Sequence, residues 1–275
     1  MPPSYKTKNW SAYNEALKQR GFLTIWFDPD MVWVPPPTTG FVESLLRLVG
    51  LDCAVPDFST LSRRQKALAV TIPYRGSKGP LKLLIDSTGI KAEGEGAWHV
   101  RKHGGAKRRL WRKIHIGVDE QTLEIRALEI IGSNVGDAPM LPELLSQIPP
   151  DVEIGSATAD GVYDTRRCHD AVADRGAHAA MPPRKNARSW KPSTAGAIAR
   201  NEALRASKYP GRAIRQKWAG YQRRRRVETK MHCVKLLGQS LMARDFDCHV
   251  AELQIRAAVP NGYTALGIAV THPVG

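Results

Sequence analysis

Long apolar runs are missing from these 275 residues. None approaches the ~18 residues that a membrane-crossing helix needs, so no membrane span is expected. The opening MPPSYKTKNW has no apolar stretch followed by a small-residue cleavage site, so it does not read as a secretory signal. The protein is expected to stay where it is made. Cysteine is scarce too. Cys53, Cys168, Cys233 and Cys248 are scattered without C-x-x-C spacing, which argues against a disulfide scaffold and for reduced thiols. Three of them adjoin a histidine (Cys168-His169, His232-Cys233, Cys248-His249), but a structural zinc wants separated ligand pairs. No repeat recurs at periods of ~20–50 residues, which removes solenoids and propellers.

What is present suits an ordinary globular protein, 42% hydrophobic and 24% charged, with length for one substantial domain and a smaller one. The net charge is +15 and unevenly spread. Residues 1–80 carry +4, residues 81–183 carry −2 and residues 184–275 carry +13. A basic third beside an acid-rich middle fits an enzyme that grips a polyanion with one part and holds cations with the other. Composition by itself leaves a solubilising basic surface or a ribosome-associated protein equally open.

Residues 10–20 predict a short helix capped by Ser11. VWVPPPTTG (32–40) breaks it, because three consecutive prolines cannot continue a helix. FVESLLRLVGL (41–51) and DFSTLSRRQKALAV (57–70) predict two further helices, the second capped by Ser59 or Thr60 and carrying Arg63, Arg64 and Lys66. Together they resemble part of a helix-turn-helix unit, so Arg63 and Arg64 are candidate DNA contacts. From residue 80 the pattern changes. LKLLID (81–86) predicts a buried strand ending in an acid, and WRKIHIGVD (111–119) with LEIRALEII (123–131) predicts a hairpin. PMLPELLSQI (139–148) predicts a helix, IGSATAD (154–160) a second strand ending in an acid, TRRCHDAVADRG (165–176) a helix and AHAAMP (177–182) a strand. RKNARSWKPSTAG (184–196) reads as a basic loop, followed by one long helix from about Ala213 to Leu241. This order predicts an α/β fold, a ribonuclease H-like mixed sheet flanked by helices. The predicted domains are a helical N-terminal DNA-binding region at 1–78 and a catalytic domain at 79–268.

In such a sheet the strands ending in Asp86 and Asp160 are adjacent, so two hard oxygen ligands suited to Mg²⁺ or Mn²⁺ project from one edge. A single Asp at a strand end more commonly caps a loop. The next helical segment bears on the choice. In GYQRRRRVETKMHCVKLLG, Tyr221, Arg224, Glu228 and Lys235 fall within one narrow stripe at ~100° per residue. Val227, Met231, Val234, Leu237 and Leu241 form an apolar face beside it. The loop RKHGGAKRRLWRK (101–113) interleaves eight basic residues with Trp111, which makes Lys107, Arg108, Arg109 and Arg112 candidates for tracking DNA, with a solvated hairpin approach as the plain alternative. Trp98 and Trp190, in loops, suit surface packing better than stacking on a flipped base. Tyr163 and Tyr221 suggest a tyrosine recombinase, but that class needs a differently spaced Arg/His/Lys set.

Tyr, two residues, Arg, three residues, Glu, six residues, Lys resembles the signature of bacterial insertion-sequence transposases of the DDE class. LLIDSTGIK, TADGVYDT and RRRRVETKMHCVKLLG look like its three catalytic blocks, and the wider match, from YKTKNWSAYNEALKQRG onward, is similar to insertion-sequence family five. The resemblance implies Asp86, Asp160 and Glu228 as ligands of two Mg²⁺ or Mn²⁺ ions. It implies Tyr221, Arg224 and Lys235, with Arg225 in the same basic run, as contacts to DNA near the scissile phosphate. Two metals ~3.5–4 Å apart activate the nucleophile and stabilise the leaving 3′ oxygen. The nucleophile is water for end cleavage, then the freed 3′-OH for strand transfer. The further implications are double-stranded DNA as partner (transposon terminal inverted repeats and target), a homo-oligomer pairing two ends, and a bacterial cytoplasmic, nucleoid-associated location. One departure stands out: VPPP runs straight into TTGFVESLL, where family members have a longer stretch, so the N-terminal region reads as shortened near 34–39. A hydrolysis-only nuclease of the same fold and a catalytically impaired DNA-binding remnant are the alternatives.

Overall fold

Leu83, Leu84 and Ile85 are consecutive and all fully buried, which a strand achieves only when both faces of its sheet are covered. That strand organises the larger unit. The computed structural model describes residues 4–20, 46–47, 50, 55, 58–68, 70–92, 110–209, 211–243, 245–269 and 271–274. They fall into two compact units, Met1–Ala69 with Gly262–Gly275, and Val70–Asn261.

In the first unit, strand β1 (Ser4–Thr7) pairs antiparallel with Thr271–Val274. Helix α1 (Trp10–Gln19) begins one residue before Ser11. Asn9 takes the cap position instead and spends its side-chain amide on the Ile268 carbonyl, 2.8 Å away. Helix α2 (Phe58–Ala67) likewise starts before Ser59 and Thr60, which lie inside its first turn. The triple-proline segment and nearly all of the helix expected at 41–51 lie outside the described residues, as do Trp98 and the loop residues 101–109.

The second unit is built on β2 (Leu81–Ala92), β3 (Leu110–Asp119), β4 (Ile125–Gly132), helix α3 (Met140–Ser146), β5 (Ile154–Thr158), α4 (Arg166–Asp174) and β6 (His178–Ala180). The sheet order is β4-β3-β2-β5-β6, with β4-β3-β2 antiparallel and β2-β5-β6 parallel. This is the expected ribonuclease H-like layout, and β2 and β5 are neighbours as the sequence implies. β2 runs six residues beyond Asp86, however, because Ser87 to Ala92 continue the ladder opposite His115 to Leu110. Asp86 therefore sits in mid-strand. The polar run STG marks half-buried side chains, not an end to the backbone pairing.

Beyond β6 the expectations need more correction. Helix α5 (Ala195–Lys208), which has no counterpart between the loop expected at 184–196 and the helix expected from 213, opens at Thr194, whose hydroxyl accepts from the Ala197 amide. The single helix expected over 213–241 is several pieces: α6 (Arg212–Trp218), a 3-10 turn (Tyr221–Arg224), α7 (Arg225–Leu236) and the short strand β7 (Ser240–Leu241), which pairs with Lys91 and Ala92. The break is at Gly220, whose φ of 67° is left-handed, a conformation that only glycine adopts without penalty. A last helix, α8 (Phe246–Leu266), also went unread, its periodicity blurred by Pro260.

The two faces of the sheet have separate cores. Leu83 and Ile85 pack with Leu141, Leu144 and Val172 from α3 and α4. Leu84 and Ile90 pack with Val227, Met231 and Val234 from α7 and with Leu253 and Ala257 from α8. Burial of each such side chain contributes about 1.5–3 kcal/mol, so α7 is held by its apolar stripe rather than by propensity.

Candidate active site

Alternation along β2 decides what meets what. Leu84, Asp86, Thr88 and Ile90 share a face, and Leu84 and Ile90 already define it as the α7 side. Asp86 and Thr88 are thus carried under α7 and the turn that precedes it. On the neighbouring strand Asp160 lies just past the end of β5, where its side chain accepts from the Val162 amide at 2.9 Å and caps the 3-10 turn Gly161–Tyr163.

One guanidinium ties these elements together. Arg224 Nη2 lies 2.6 Å from Asp86 Oδ1 and 3.8 Å from Asp160 Oδ2, while Nη1 lies 3.4 Å from Glu228 Oε1. The three carboxyl side chains are 13%, 31% and 53% exposed in that order, so the group forms a funnel open toward Glu228. The buried Arg224 Nε has no hydrogen-bond partner among the described residues. Burial disfavours the charge on Arg224, but the hydrogen bond and charge of Asp86 outweigh this and hold its pKa above the ordinary value. About two helical turns beyond Glu228, Lys235 Nζ donates to Thr88 Oγ1 at 2.7 Å. Among the described residues no three His, Cys, Asp or Glu side chains stand close enough together to hold a metal directly; here the carboxylates face Arg224.

Tyr221 is near enough to Arg224 to act on it electrostatically, and the remaining sequence candidates lie elsewhere. Tyr221 is half-buried on the 3-10 turn and Arg225 is exposed at the start of α7. Arg112 is in β3, its guanidinium 5.1 Å from the centre of the Phe246 ring. Arg63 and Arg64 are exposed on α2 in the first unit, and Lys107, Arg108 and Arg109 lie outside the described residues. Two of the three histidines beside cysteines are otherwise engaged: His169 Nε2 is 3.1 Å from Asp164 and His249 Nε2 is 3.0 Å from the Ala243 carbonyl.

A family model described as Transposase DDE domain matches residues 77–261, and a second with the same description matches residues 34–95. The chain belongs to the DDE transposases. Membership implies a nucleic-acid-processing enzyme with DNA as substrate, and the family generally uses divalent metal ions. No helix among the described residues is long and apolar enough to cross a membrane. In its chemistry, though not in its present spacing, the donor set of this transposase suits divalent ions. Three carboxylates from three elements, all hard oxygen donors, are turned toward a single cationic group.

Sequence reasoning missed two buried networks behind the carboxylates. Tyr163, three residues after Asp160, places its hydroxyl 3.0 Å from Nδ1 of His115, the cross-strand partner of Ser87. Both rings are fully buried. Burial pushes the Tyr163 phenol up, reinforced by Asp137, Asp160 and Asp86 and opposed by a hydrogen bond with Ser87. Burial pushes His115 down to about 4, against the pull of Asp137 3.7 Å from its Nε2. A protonated phenol therefore donates to a neutral imidazole, linking β3, which pairs with the strand of Asp86, to the turn of Asp160.

In the second network Asp164 accepts from Arg200 Nε and Nη2, both at 3.1 Å, from the Arg184 amide at 3.0 Å, and contacts His169. Burial alone would raise its pKa, but the bonds from His169, Arg200 and the Arg184 amide hold it far below the usual carboxylate range. The alternation of acids in DGVYD was the available signal.

Proposed function

We propose that this DDE transposase serves a bacterial insertion sequence similar to family five, cleaving at terminal inverted repeats and transferring the freed 3′-OH into target DNA. Asp86, Asp160 and Glu228 would hold two Mg²⁺ or Mn²⁺ ions, which would supply an activated nucleophile and a stabilised leaving oxygen. The observation that carries this reading is the convergence of these three acids, from a mid-sheet strand, a neighbouring strand end and a helix, on the Arg224 guanidinium. On this reading Arg224 moves from the carboxylates to the DNA phosphates, with Lys235, Tyr221 and Arg225 on the same flank. Residues 1–78 form the DNA-binding region, shortened near 34–39, with Arg63 and Arg64 on its helix, and residues 79–268 form the catalytic domain. Lys107, Arg108, Arg109 and Arg112 follow the duplex, the active assembly is a homo-oligomer on paired ends, and the protein works at the nucleoid in the cytoplasm.

The test uses duplexes copied from the DNA flanking this reading frame, incubated with the purified protein and Mg²⁺ or Mn²⁺. Cleaved ends and joined products are expected. Cleavage without joining would assign a hydrolysis-only nuclease, and metal-independent binding without cleavage would assign a remnant whose shortened N-terminal region has cost it its chemistry.

A further inference from the structure

The segment from Arg184 to Ser193 has no regular secondary structure, yet its backbone is held at Arg184, Ala187, Arg188, Trp190, Lys191 and Ser193. The Arg184 amide is bound by Asp164, the Arg188 carbonyl by Arg200, and the Trp190 amide and carbonyl by both ends of the Asn201 side chain at 2.8 Å. Arg166 donates to the Lys191 carbonyl and the Ser193 hydroxyl, both at 3.1 Å. The Trp190 ring lies under the Arg200 guanidinium, 4.2 Å from ring centre to cation, which accounts for this tryptophan by packing. Helix α5 comes near enough to supply these groups because residue 196 is glycine, where a Cβ would stand 2.5 Å from the Asp170 amide. At its start the segment is tied to the catalytic turn, for Arg184 donates to the Gly161 and Val162 carbonyls at 3.3 and 3.0 Å.

Ordering such a run costs about 1–2 kcal/mol per residue, and burying Asp164 with Arg200 adds desolvation that their pairing only offsets. A merely solubilising loop needs neither. What the rigid backbone displays is charge: Lys185, Arg188 and Lys191 are exposed, and none of their side chains has a hydrogen bond or ion pair among the described residues. Three unpaired cations carried on a held backbone suit a ligand bearing several anionic groups in series.

We infer that Lys185, Arg188 and Lys191 form a preorganised rail for the phosphodiester backbone of DNA, leading to the turn that carries Asp160. The inference rests on the transposase reading for its ligand and adds a binding surface to it. The rail reads phosphates and not bases, so its contribution is independent of sequence.

The test measures affinity of the full-length protein for a random-sequence duplex by fluorescence anisotropy across a salt series, with metal chelated so that no cleavage intervenes. K185Q/R188Q/K191Q should reduce the slope of log affinity against log salt by about 2 to 3, at roughly 0.9 per phosphate contact. A control, K78Q/K82Q/K208Q, removes the same charge from other exposed lysines and should change the slope by less than one. Asn201→Ala keeps every cation but cuts both bonds to Trp190, and should lower affinity several-fold at constant charge. An unchanged slope in the rail variant, an equal fall in the control, or full affinity in Asn201→Ala would each overturn the rail while leaving the transposase reading intact. Failure of the unaltered protein to bind duplex at all would instead overturn that reading.

Discussion

Arg224 Nη2 lies 2.6 Å from Asp86 Oδ1, closer than to either of the other two carboxylates it faces. A guanidinium there neutralises acids that would otherwise repel one another, which is also the task of a bound dication. Arg224 and metal therefore compete. Arg224→Gln should destabilise the metal-free protein by about 2 kcal/mol, the scale of one charged hydrogen bond. It should also bind Mn²⁺ more tightly in calorimetry while cutting DNA less well. Equal Mn²⁺ affinity in the two proteins would show that no competition exists.

The exposure gradient across the three acids orders their structural costs. Asp86→Asn removes the partner of a buried cation and should destabilise most, by about 1–3 kcal/mol in urea unfolding. Glu228→Gln, at a half-exposed position, should stay within about 0.5 kcal/mol. All three, with Asp160→Asn, should lose cleavage while keeping duplex affinity. Cleavage by Glu228→Gln at the normal rate would remove Glu228 from the site.

The approach of these carboxylates was legible because strand adjacency follows from element order, and because Glu228 and Lys235 share one face of α7 wherever that helix begins. The manner of their meeting was not legible. A continuous helix and the observed turn at Gly220 share one sequence pattern, and only a left-handed glycine distinguishes them. The mid-strand place of Asp86 was hidden since backbone pairing continues through polar STG. Tyr163 and His115, like Asp164 and Arg200, are far apart in sequence and join only when β2, β3 and the turn after β5 pack together.

His115 gives a pH signature. Its folded pKa, about 4, is below the ordinary imidazole value of 6.5 because of burial, so as pH falls the unfolded chain takes up the proton first. Stability should therefore be constant above about 6.5, decline between 6.5 and 4, and level off below, by on the order of 3 kcal/mol in all. The groups facing the ring are Tyr163, Asp137, Lys113 and, more distantly, Asp86, with Ser87 and Glu129 opposite on the flanking strands. His115→Gln keeps a partner for the phenol and should abolish this decline. A decline of the same size in that variant would assign it to other groups.

Asp164 should behave in the opposite sense at a lower pH. Its folded pKa is depressed, so its contribution is complete above the unfolded value of 3.8 and disappears as pH falls below it. At neutral pH, Asp164→Asn leaves the Arg200 guanidinium buried without a counter-charge, at a cost of about 3–5 kcal/mol. Arg200→Met strands Asp164 in the same way. Because each single change exposes the other partner's burial, Asp164→Asn with Arg200→Met should cost less than the two separate losses added together, by about 2 kcal/mol in a double-mutant cycle. Simple additivity would mean that the two side chains stabilise the protein independently, and that the ion pair is not what secures α4 to α5.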